Sequence, residues 1–163
     1  MLHEFRAEQV NVRTTFRYFH LILFLLEKMK ISRGLRNNNP LNIRRNNTKW
    51  KGLAAIQSDK EFFCFVDVCW GYRAAFITLR NYFKKHGLKT LRKWIERWAP
   101  PVENDTDAYV RFVSSKSGID ADEELDIENS ESMLKIVGAM SHIENGQRAS
   151  KADLLSGWNL SFK

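Results

Sequence analysis

The sequence predicts a mainly helical α+β domain with one small β-sheet near its front. Apolar residues recur at helical spacing from Gly71 onward, whereas the short stretch Glu61–Val66 is rich in aromatic residues, as strands are. The chain has 163 residues, of which 44% are hydrophobic, and this fits one globular domain with one core. A small sheet beside a helical bundle commonly leaves a cleft, so we expect a ligand site where the two parts meet.

The front of the chain divides into an apolar helix, an Asn-rich loop and short strands. Residues 14–29 are predicted to be helical from their apolar pattern. The stretch Arg33–Asn47 is predicted to be a loop or an irregular strand, because Asn, Gly and Pro favour turns. We expect Ile43, Trp50–Leu53 and Glu61–Val66 to form the small sheet.

Four further helices carry recognisable start and stop signals. They are a helix from Gly71 that ends at Gly87, one capped by Thr90 and stopped by Pro100, one capped within Asn104–Thr106 and closed by Gly118, and one from about Ser130 to Ile143. A last helical turn is expected around Leu154 and Trp158.

The apolar run Phe16–Leu26 is too short to cross a membrane, which takes ~20 apolar residues. Three interpretations are open: a buried or docking helix, a weak export or tethering signal, and an extension upstream of a start at Met29. The first and third are favoured because no small-residue cleavage site follows. We therefore predict no stable membrane span, with residues 1–28 as an extension or helix and residues 29–163 as the main domain.

The net charge of +7 favours a polyanionic partner, which leaves nucleic acid, an anionic membrane surface or an acidic cell wall. Nucleic acid is disfavoured because Lys and Arg are spread over the whole chain and no DNA-binding motif is present. The two cysteines, Cys64 and Cys69, form neither a disulfide framework nor a zinc-binding pattern. We predict buried free thiols, no metal and no cofactor.

Glu144 is the strongest candidate for an acid in catalysis. It lies in SHIENG, at the edge of an apolar stripe with Val137 and Met140, and at the C-terminal end of a predicted helix. A carboxylate there opposes the helix dipole, so it contributes little to helix stability. Glycoside cleavage needs such a carboxylic acid to protonate the leaving oxygen. The alternative is a solvated side chain at a frayed helix end, with Gly146 as a plain stop signal.

Two loop segments offer further candidates. Asn side chains in RGLRNNNPLNIRR, residues 33–45, have both the donors and the acceptors that sugar hydroxyls and N-acetyl groups require, although Asn also suits a left-handed turn. In WAPPVENDT, Glu103 is a candidate second carboxylate, and Asp105 either caps a helix or faces a cleft. Trp98 either stacks on a sugar ring or packs in the core.

A series of short motifs is spread over residues 32–147. It comprises RGLRNNNPLNIR, the W-x-G of Trp50–Gly52, Asp59, the EFFCF strand, GYRA at Gly71–Ala74, RWAPPVENDT and the final IENG. In this combination the motifs resemble a group of small phage and prophage proteins that are described as virion structural proteins or endolysins. Leu41 departs from that group, which usually has Gly after NNNP.

NNNPLNIR also resembles, more distantly, the Asn-rich strand motif of bacterial glucosaminidases with a lysozyme-like core. In those enzymes a helix ending in Glu-Ser-Gly precedes the motif and supplies the acid. Here Glu-Asn-Gly follows it, at Glu144. The resemblance implies a lysozyme-like core that is circularly permuted, and Glu144 must then lie within roughly 10 Å of residues 37–42. Otherwise Glu27 or Glu103 is the better candidate.

The resemblance implies a peptidoglycan glycan-strand hydrolase or lytic transglycosylase that is made in the bacterial cytoplasm and acts at the cell wall or periplasm as a monomer. Glu144 would be its acid, and Glu103 or Asp105 its second carboxylate. The residues expected to bind the glycan strand are Asn38, Asn39, Asn42, Trp98, Asp105 and Tyr109.

Two alternatives to a soluble glycosidase stay open. One is a non-catalytic virion structural or cell-wall-binding protein, since a fold can persist without its activity. The other is a membrane-tethered lysis protein that uses Phe16–Leu26 as its anchor.

Overall fold

The computed structural model describes residues 31–102 and 104–163, and residues 32–163 form one compact unit. The predictions for the helix at residues 14–29, for the run Phe16–Leu26, and for Glu27 and Glu103 lie outside the described residues.

The described part of the chain is mainly helical, as predicted. Its helices are α1 (Arg33–Arg36), α2 (Val68–His86), α3 (Leu91–Trp98), α4 (Thr106–Ser117), α5 (Ser130–Asn145) and α6 (Lys151–Leu160). Helices α2 to α5 correspond to the four predicted helices. The expected last turn is a full helix, α6, and the short α1 lies inside the predicted loop.

Side-chain caps set the helix boundaries. Thr90 accepts a hydrogen bond from Lys93 N at the start of α3, as the sequence indicated. Helix α2 begins three residues before the predicted Gly71, because the Asp67 carboxylate accepts from Cys69 N. The predicted boundaries are therefore accurate where the capping residue was recognised, and they shift where it was missed.

In the described residues, the segments that were predicted to form the small sheet do not form continuous strands. The segment 61–66 lies between two partners, but it pairs with them only through isolated antiparallel bridges, Arg44–Phe62 and Leu53–Phe65. Continuous pairing needs a run of residues in the extended conformation. Asn42, with φ 49°, and Gly52, with φ 75°, interrupt the backbone just before each bridge, so the pairing cannot extend in that direction.

The core centres on α2, which packs against α6, while α5 packs against α4. Gly157 lets α6 approach α2 closely, because a Cβ atom there would lie 2.5 Å from the Cβ of Tyr72. The Tyr72 hydroxyl in turn meets the Ser141 hydroxyl of α5 at 3.0 Å. Fully buried large side chains, such as Trp94 and Phe76, each contribute about 1.5–3 kcal/mol to stability. This packing fixes the position of α5, whose C-terminal end carries Glu144.

Asn39 replaces strand pairing with side-chain hydrogen bonds. It is fully buried, and its Nδ2 donates to the carbonyl oxygens of Ile43 (3.0 Å) and Phe63 (2.9 Å). Its Oδ1 accepts from Ile43 N at 2.9 Å. One side chain therefore satisfies buried backbone groups on two segments and joins the Asn-rich loop to the segment 61–66.

None of the described helices is long and apolar enough to span a membrane. Cys64 is buried and Cys69 is half-buried, and both are free thiols.

We expect Asn39→Ala to lower the free energy of unfolding by roughly 2–4 kcal/mol, because it leaves buried backbone donors and acceptors without partners. Asn159→Ala is the matched control, since Asn159 is exposed on α6 and its replacement should leave stability nearly unchanged. Urea unfolding followed by circular dichroism measures both variants. Equal stability of the two variants would contradict the role assigned to Asn39.

Candidate active site

A cleft of about 510 Å³ opens where the C-terminal end of α5 meets the Asn-rich loop and the end of α3. It is lined by Leu41, Asn42, Arg44, Phe62, Arg97, Trp98, Ala99, Pro100, Asn104 and Glu144. The cleft therefore combines residues that lie far apart in sequence.

Glu144 lies half-buried in this cleft, one residue before the end of α5. Its Oε2 accepts a hydrogen bond from Asn42 Nδ2 at 2.8 Å, and its Oε1 accepts one from the Tyr109 hydroxyl at 3.0 Å. Asn42 and Glu144 are 102 residues apart in sequence. The contact lies well inside the separation predicted between Glu144 and residues 37–42, and both carboxyl oxygens are held in place.

Asn145, the next residue, joins the end of α5 to the Asn-rich loop. Its Nδ2 donates to the carbonyl oxygens of Pro40 and Ser141, each at 2.7 Å. Its Oδ1 accepts from the Ser32 hydroxyl at 2.6 Å, next to the start of α1. Gly146 then ends α5 in the left-handed conformation, with φ 70°. In the Glu-Asn-Gly motif, therefore, Asn145 positions the helix end from which Glu144 projects.

Gly34 makes this close approach possible. A Cβ atom there would lie 2.8 Å from Asn42 Oδ1 and 2.9 Å from Asn145 Oδ1. Both distances are shorter than side-chain carbon atoms tolerate, so a larger residue at position 34 would push apart the two Asn side chains that flank Glu144.

Asn42 adopts the left-handed conformation with φ 49°, which Asn tolerates better than most residues. This conformation directs its amide nitrogen to Glu144. Its Oδ1 is buried and has no hydrogen-bond partner among the described residues. Among the described residues, Glu144 is therefore the one hydrogen-bond partner that orients this side chain.

Tyr109 reaches Glu144 from the core side. It is buried on α4 and lies outside the set of residues that line the cleft. Burial, and next the negative charge of Glu144, hold the pKa of the Tyr109 phenol well above its usual range. The raised pKa favours the protonated phenol, whose hydroxyl donates to Glu144 Oε1, so Tyr109 holds the carboxyl group in place and does not itself face the cleft.

The structure does not bring the other predicted Asn residues to the cleft. Asn39 is fully buried and bound to backbone, so it cannot touch a substrate. Asn38 donates to the carbonyl oxygen of Phe65 at 3.0 Å and lines a separate hollow. Both were expected to bind the glycan strand, and both instead shape the loop, with Asn38 left-handed at φ 51°.

Of the candidates in residues 98–105, the structure brings Trp98 to the cleft and leaves Asp105 outside it. Trp98 is half-buried and lines the cleft, and its ring meets the Tyr82 ring edge-on, with the ring centres 6.4 Å apart. Asp105 is exposed outside the cleft lining and caps α4, since it accepts from Ala108 N at 3.0 Å. Its expected place in the groove is therefore corrected in favour of capping. Glu103 is outside the described residues, although its neighbour Asn104 lines the cleft.

Sequence reasoning missed the basic and aromatic residues Arg44, Phe62 and Arg97 in the cleft lining. Arg44 lies in the Asn-rich motif and Arg97 precedes Trp98 in RWAPP. Their position inside these motifs was the one sequence feature that could have indicated a place in the cleft.

A second hollow of about 260 Å³ adjoins the cleft. The two share Asn42, Arg44 and Trp98, and the second also includes Trp50 and Tyr82. Because they share these residues, the two hollows adjoin, and a longer surface depression of this kind suits an extended ligand better than a single small molecule.

Asp59 holds the start of the Asn-rich loop in place through hydrogen bonds to Arg33 and Asn37. Its carboxylate accepts two hydrogen bonds from Arg33, each at 2.7 Å, and one from Asn37 Nδ2 at 2.8 Å. The backbone nitrogens of Glu61 and Phe62 also donate to it. Arg33 first, and then these other donors, hold the pKa of Asp59 well below its usual range.

Among the described residues, no group of three or more His, Cys, Asp and Glu side chains is arranged to hold a metal ion.

No known family model matches the chain. The chain is similar to Protein P5 of Pseudoalteromonas phage PM2, with 39% identity over 127 residues. The match covers 76% of this chain and 78% of that protein.

The Asp59 contacts predict loss of stability in acid. Because the pKa of Asp59 is lowered on folding, its stabilisation is present above the ordinary carboxyl pKa of about 4 and is lost as the pH falls below that value. We expect Asp59→Asn to unfold at a lower temperature than wild type at pH 7, and the difference to shrink toward pH 3.

Thermal unfolding at pH 7, 5 and 3 measures this difference. Glu123→Gln is the control, since Glu123 is exposed and neutralising it should leave the unfolding temperature nearly unchanged. A difference between wild type and Asp59→Asn that is the same at all three pH values would contradict the assigned contacts.

Proposed function

The chain belongs to the phage protein family of Protein P5, and we propose that it cleaves the glycan strands of peptidoglycan as a hydrolase or lytic transglycosylase. The observation that carries this proposal is the Glu144 carboxyl group, which lies in a cleft and is held through both oxygens by Asn42 and Tyr109. We further propose that the fold is a lysozyme-like core in circularly permuted order.

The chemistry begins with Glu144 as general acid. Its proton passes to the glycosidic oxygen while the bond between that oxygen and the anomeric carbon breaks, and positive charge develops on the sugar ring. The oxygen of a water molecule in a hydrolase, or of the substrate's own hydroxyl in a transglycosylase, then bonds to the anomeric carbon. Its proton goes to the Glu144 carboxylate or, in a hydrolase with a second carboxylate, to that group. Asn42 and Tyr109 support this step because they fix the direction of the carboxyl group before the substrate arrives.

The number of carboxylates in the cleft distinguishes hydrolysis from transglycosylation in the second half of the reaction. Among the described residues that line it, Glu144 is the only one with a carboxyl group. Hydrolases commonly use a second carboxylate about 5–9.5 Å away, and Glu103 is our candidate because it precedes the cleft-lining Asn104. A transglycosylase needs no such group, since a hydroxyl of the substrate itself attacks the sugar.

A polymeric sugar substrate fits the rest of the surface. Trp98 and Phe62 line the cleft, and aromatic faces pack against the apolar face of sugar rings. The adjoining hollow provides room for a further sugar on the same strand. The net charge of +7 assists encounter with an anionic wall, so we place the activity at the cell wall or periplasm.

Zymography on purified peptidoglycan tests the proposal. We expect wild type to clear the substrate and Glu144→Gln to lose at least about a hundredfold of this activity, because general acid catalysis contributes roughly 10²–10⁴ in rate. The Gln side chain has nearly the same shape, so circular dichroism should show an unchanged fold. Glu123→Gln, which removes one exposed carboxylate elsewhere, should clear the substrate like wild type.

Two results would reject the proposed activity. Full clearing by Glu144→Gln would show that the acid lies elsewhere. A lack of clearing by wild type at every pH from acid to neutral would favour a phage protein that binds the wall or builds the virion without cleavage.

A further inference from the structure

A polar hollow of about 330 Å³ lies apart from the cleft, where the start of α6 meets the Asn-rich loop, α2 and α5. We call it the α6 hollow. Its polar lining includes Asn38, Tyr72, Ser141, Arg148 and Asp153. None of its lining residues belongs to the cleft that contains Glu144, so the proposed cleavage leaves this hollow without a role.

Asp153 brings a half-buried carboxylate to the α6 hollow. It lies in the first turn of α6, where its backbone nitrogen donates to the Ser150 hydroxyl that caps the helix. An acidic side chain at this position can return a hydrogen bond to the capping residue, but the Asp153 carboxylate accepts none. Among the described residues it also has no ion-pair partner, so its oxygens remain acceptors for a ligand.

The Tyr72 and Ser141 hydroxyls supply a buried donor at the same hollow. The two residues are 2% and 1% exposed, and their oxygens lie 3.0 Å apart. Two hydroxyl groups carry two hydrogens, of which only one can lie between the two oxygens. The further contact of the pair is Asn145 Nδ2, which is another donor. One hydroxyl hydrogen therefore lacks an acceptor among the described residues, and a ligand oxygen in the hollow would remove the cost of burying it.

Opposite charges line the α6 hollow without meeting each other. Arg148 lies between α5 and α6, and it is not within ion-pair distance of Asp153 although both residues line the hollow. The hollow thus combines a carboxylate, a guanidinium group and a spare hydroxyl hydrogen. A ligand that carries both charges on neighbouring atoms complements this arrangement better than a cation or an anion alone.

We propose that the α6 hollow binds the head group of an amino acid, in which a free ammonium and a free carboxylate are attached to one carbon. The ammonium group donates to the Asp153 carboxylate and to Asn38 Oδ1, since the Asn38 amide nitrogen is already engaged with the Phe65 carbonyl. A carboxylate oxygen accepts the spare hydrogen of the Tyr72–Ser141 pair, and the charge of Arg148 favours it.

Two sources offer this head group: a free amino acid, and a cell-wall peptide whose dibasic residue ends in one. The hollow would hold such a peptide apart from the cleft, but Asn145 connects the two places. It donates to the Ser141 carbonyl at 2.7 Å and directly follows Glu144. The inference does not depend on cleavage, because a protein that only binds the wall would use the same hollow.

The test maps binding to the full-length protein by NMR spectroscopy, in which backbone amide shifts report where a ligand lies. The four probes are free meso-diaminopimelic acid, a soluble cell-wall tripeptide that ends in this residue, and the same tripeptide either acetylated at the ammonium or amidated at the carboxylate of its free head group. The variants are Asp153→Asn and the double variant Tyr72→Phe/Ser141→Ala. Asp107→Asn is the matched control, because Asp107 is an exposed carboxylate in the first turn of α4, outside the hollow lining.

We expect the unmodified tripeptide to shift the amides of Ala149, Ser150 and Asp153. It should bind at least about tenfold more tightly than the acetylated and amidated forms, because each modification removes a charge-assisted hydrogen bond. Asp153→Asn should bind the unmodified tripeptide about tenfold more weakly and no longer distinguish it from the acetylated form.

The double variant should also lose about tenfold in affinity and keep its fold, because replacing both hydrogen-bond partners with apolar groups leaves neither one unpaired. Asp107→Asn should bind like wild type. Binding of the free amino acid as tightly as the tripeptide would identify the head group as sufficient. Binding of the tripeptide alone would identify the cell-wall peptide as the source.

The inference would be overturned if neither the free amino acid nor the unmodified tripeptide shifted the amides of the hollow at millimolar concentration. Equal binding of the unmodified and acetylated tripeptides by wild type would also overturn it, as would equal weakening by Asp153→Asn and Asp107→Asn or shifts confined to residues 97–104 of the cleft. Binding in the hollow without clearing on zymograms would reject only the proposed cleavage, and clearing without binding would reject only this inference.

Discussion

The contact between the C-terminal end of α5 and the Asn-rich loop is the constraint on which the rest of the site depends. Asn145 bonds to Pro40 and to Ser32, while Glu144 bonds to Asn42. These contacts join segments that lie about a hundred residues apart, so they depend on the core packing that holds α5 in place. The same contacts determine where the carboxyl group of Glu144 points, which means that the fold and the candidate chemistry share one set of hydrogen bonds.

Glycine at defined positions permits this contact. Gly34 leaves space for Asn42 and Asn145, and a Cβ atom at Gly71 of α2 would lie 2.2 Å from the carbonyl oxygen of Asn38. The Asn-rich loop is therefore enclosed between α2 and α5, where its own side chains supply the hydrogen bonds that strands would otherwise provide. Asn39 illustrates this role, since its three hydrogen bonds go to backbone groups of two segments. Rigid support of this kind suits a site whose acid must be oriented in advance.

The helices could be predicted because their signals are local: Thr90 and Asp105 act as caps, and Gly87 and Gly118 end helices in the left-handed conformation. The absence of continuous strands could not be predicted, because tertiary contacts determine the left-handed backbone at Asn42 and the aromatic content of a segment does not reveal them. The proximity of Glu144 to the loop followed from a resemblance between motifs. The motif did not reveal which Asn side chain faces the cleft, because packing decides whether each residue of a motif points inward or outward. Arg97 was missed because a single Arg before a Trp carries no periodic signal.

The proposed activity is cleavage of glycosidic bonds in a peptidoglycan strand, with Glu144 as the acid. Mass spectrometry of the fragments that full-length protein releases from purified sacculi tests it most directly, because the mass of each new end identifies the broken bond. The account predicts glycan fragments with new ends at a sugar, either reducing ends from hydrolysis or anhydro ends from attack by the substrate's own hydroxyl, and no such fragments with Glu144→Gln. Fragments cut only within the peptides, or the same sugar ends from Glu144→Gln, would contradict the account.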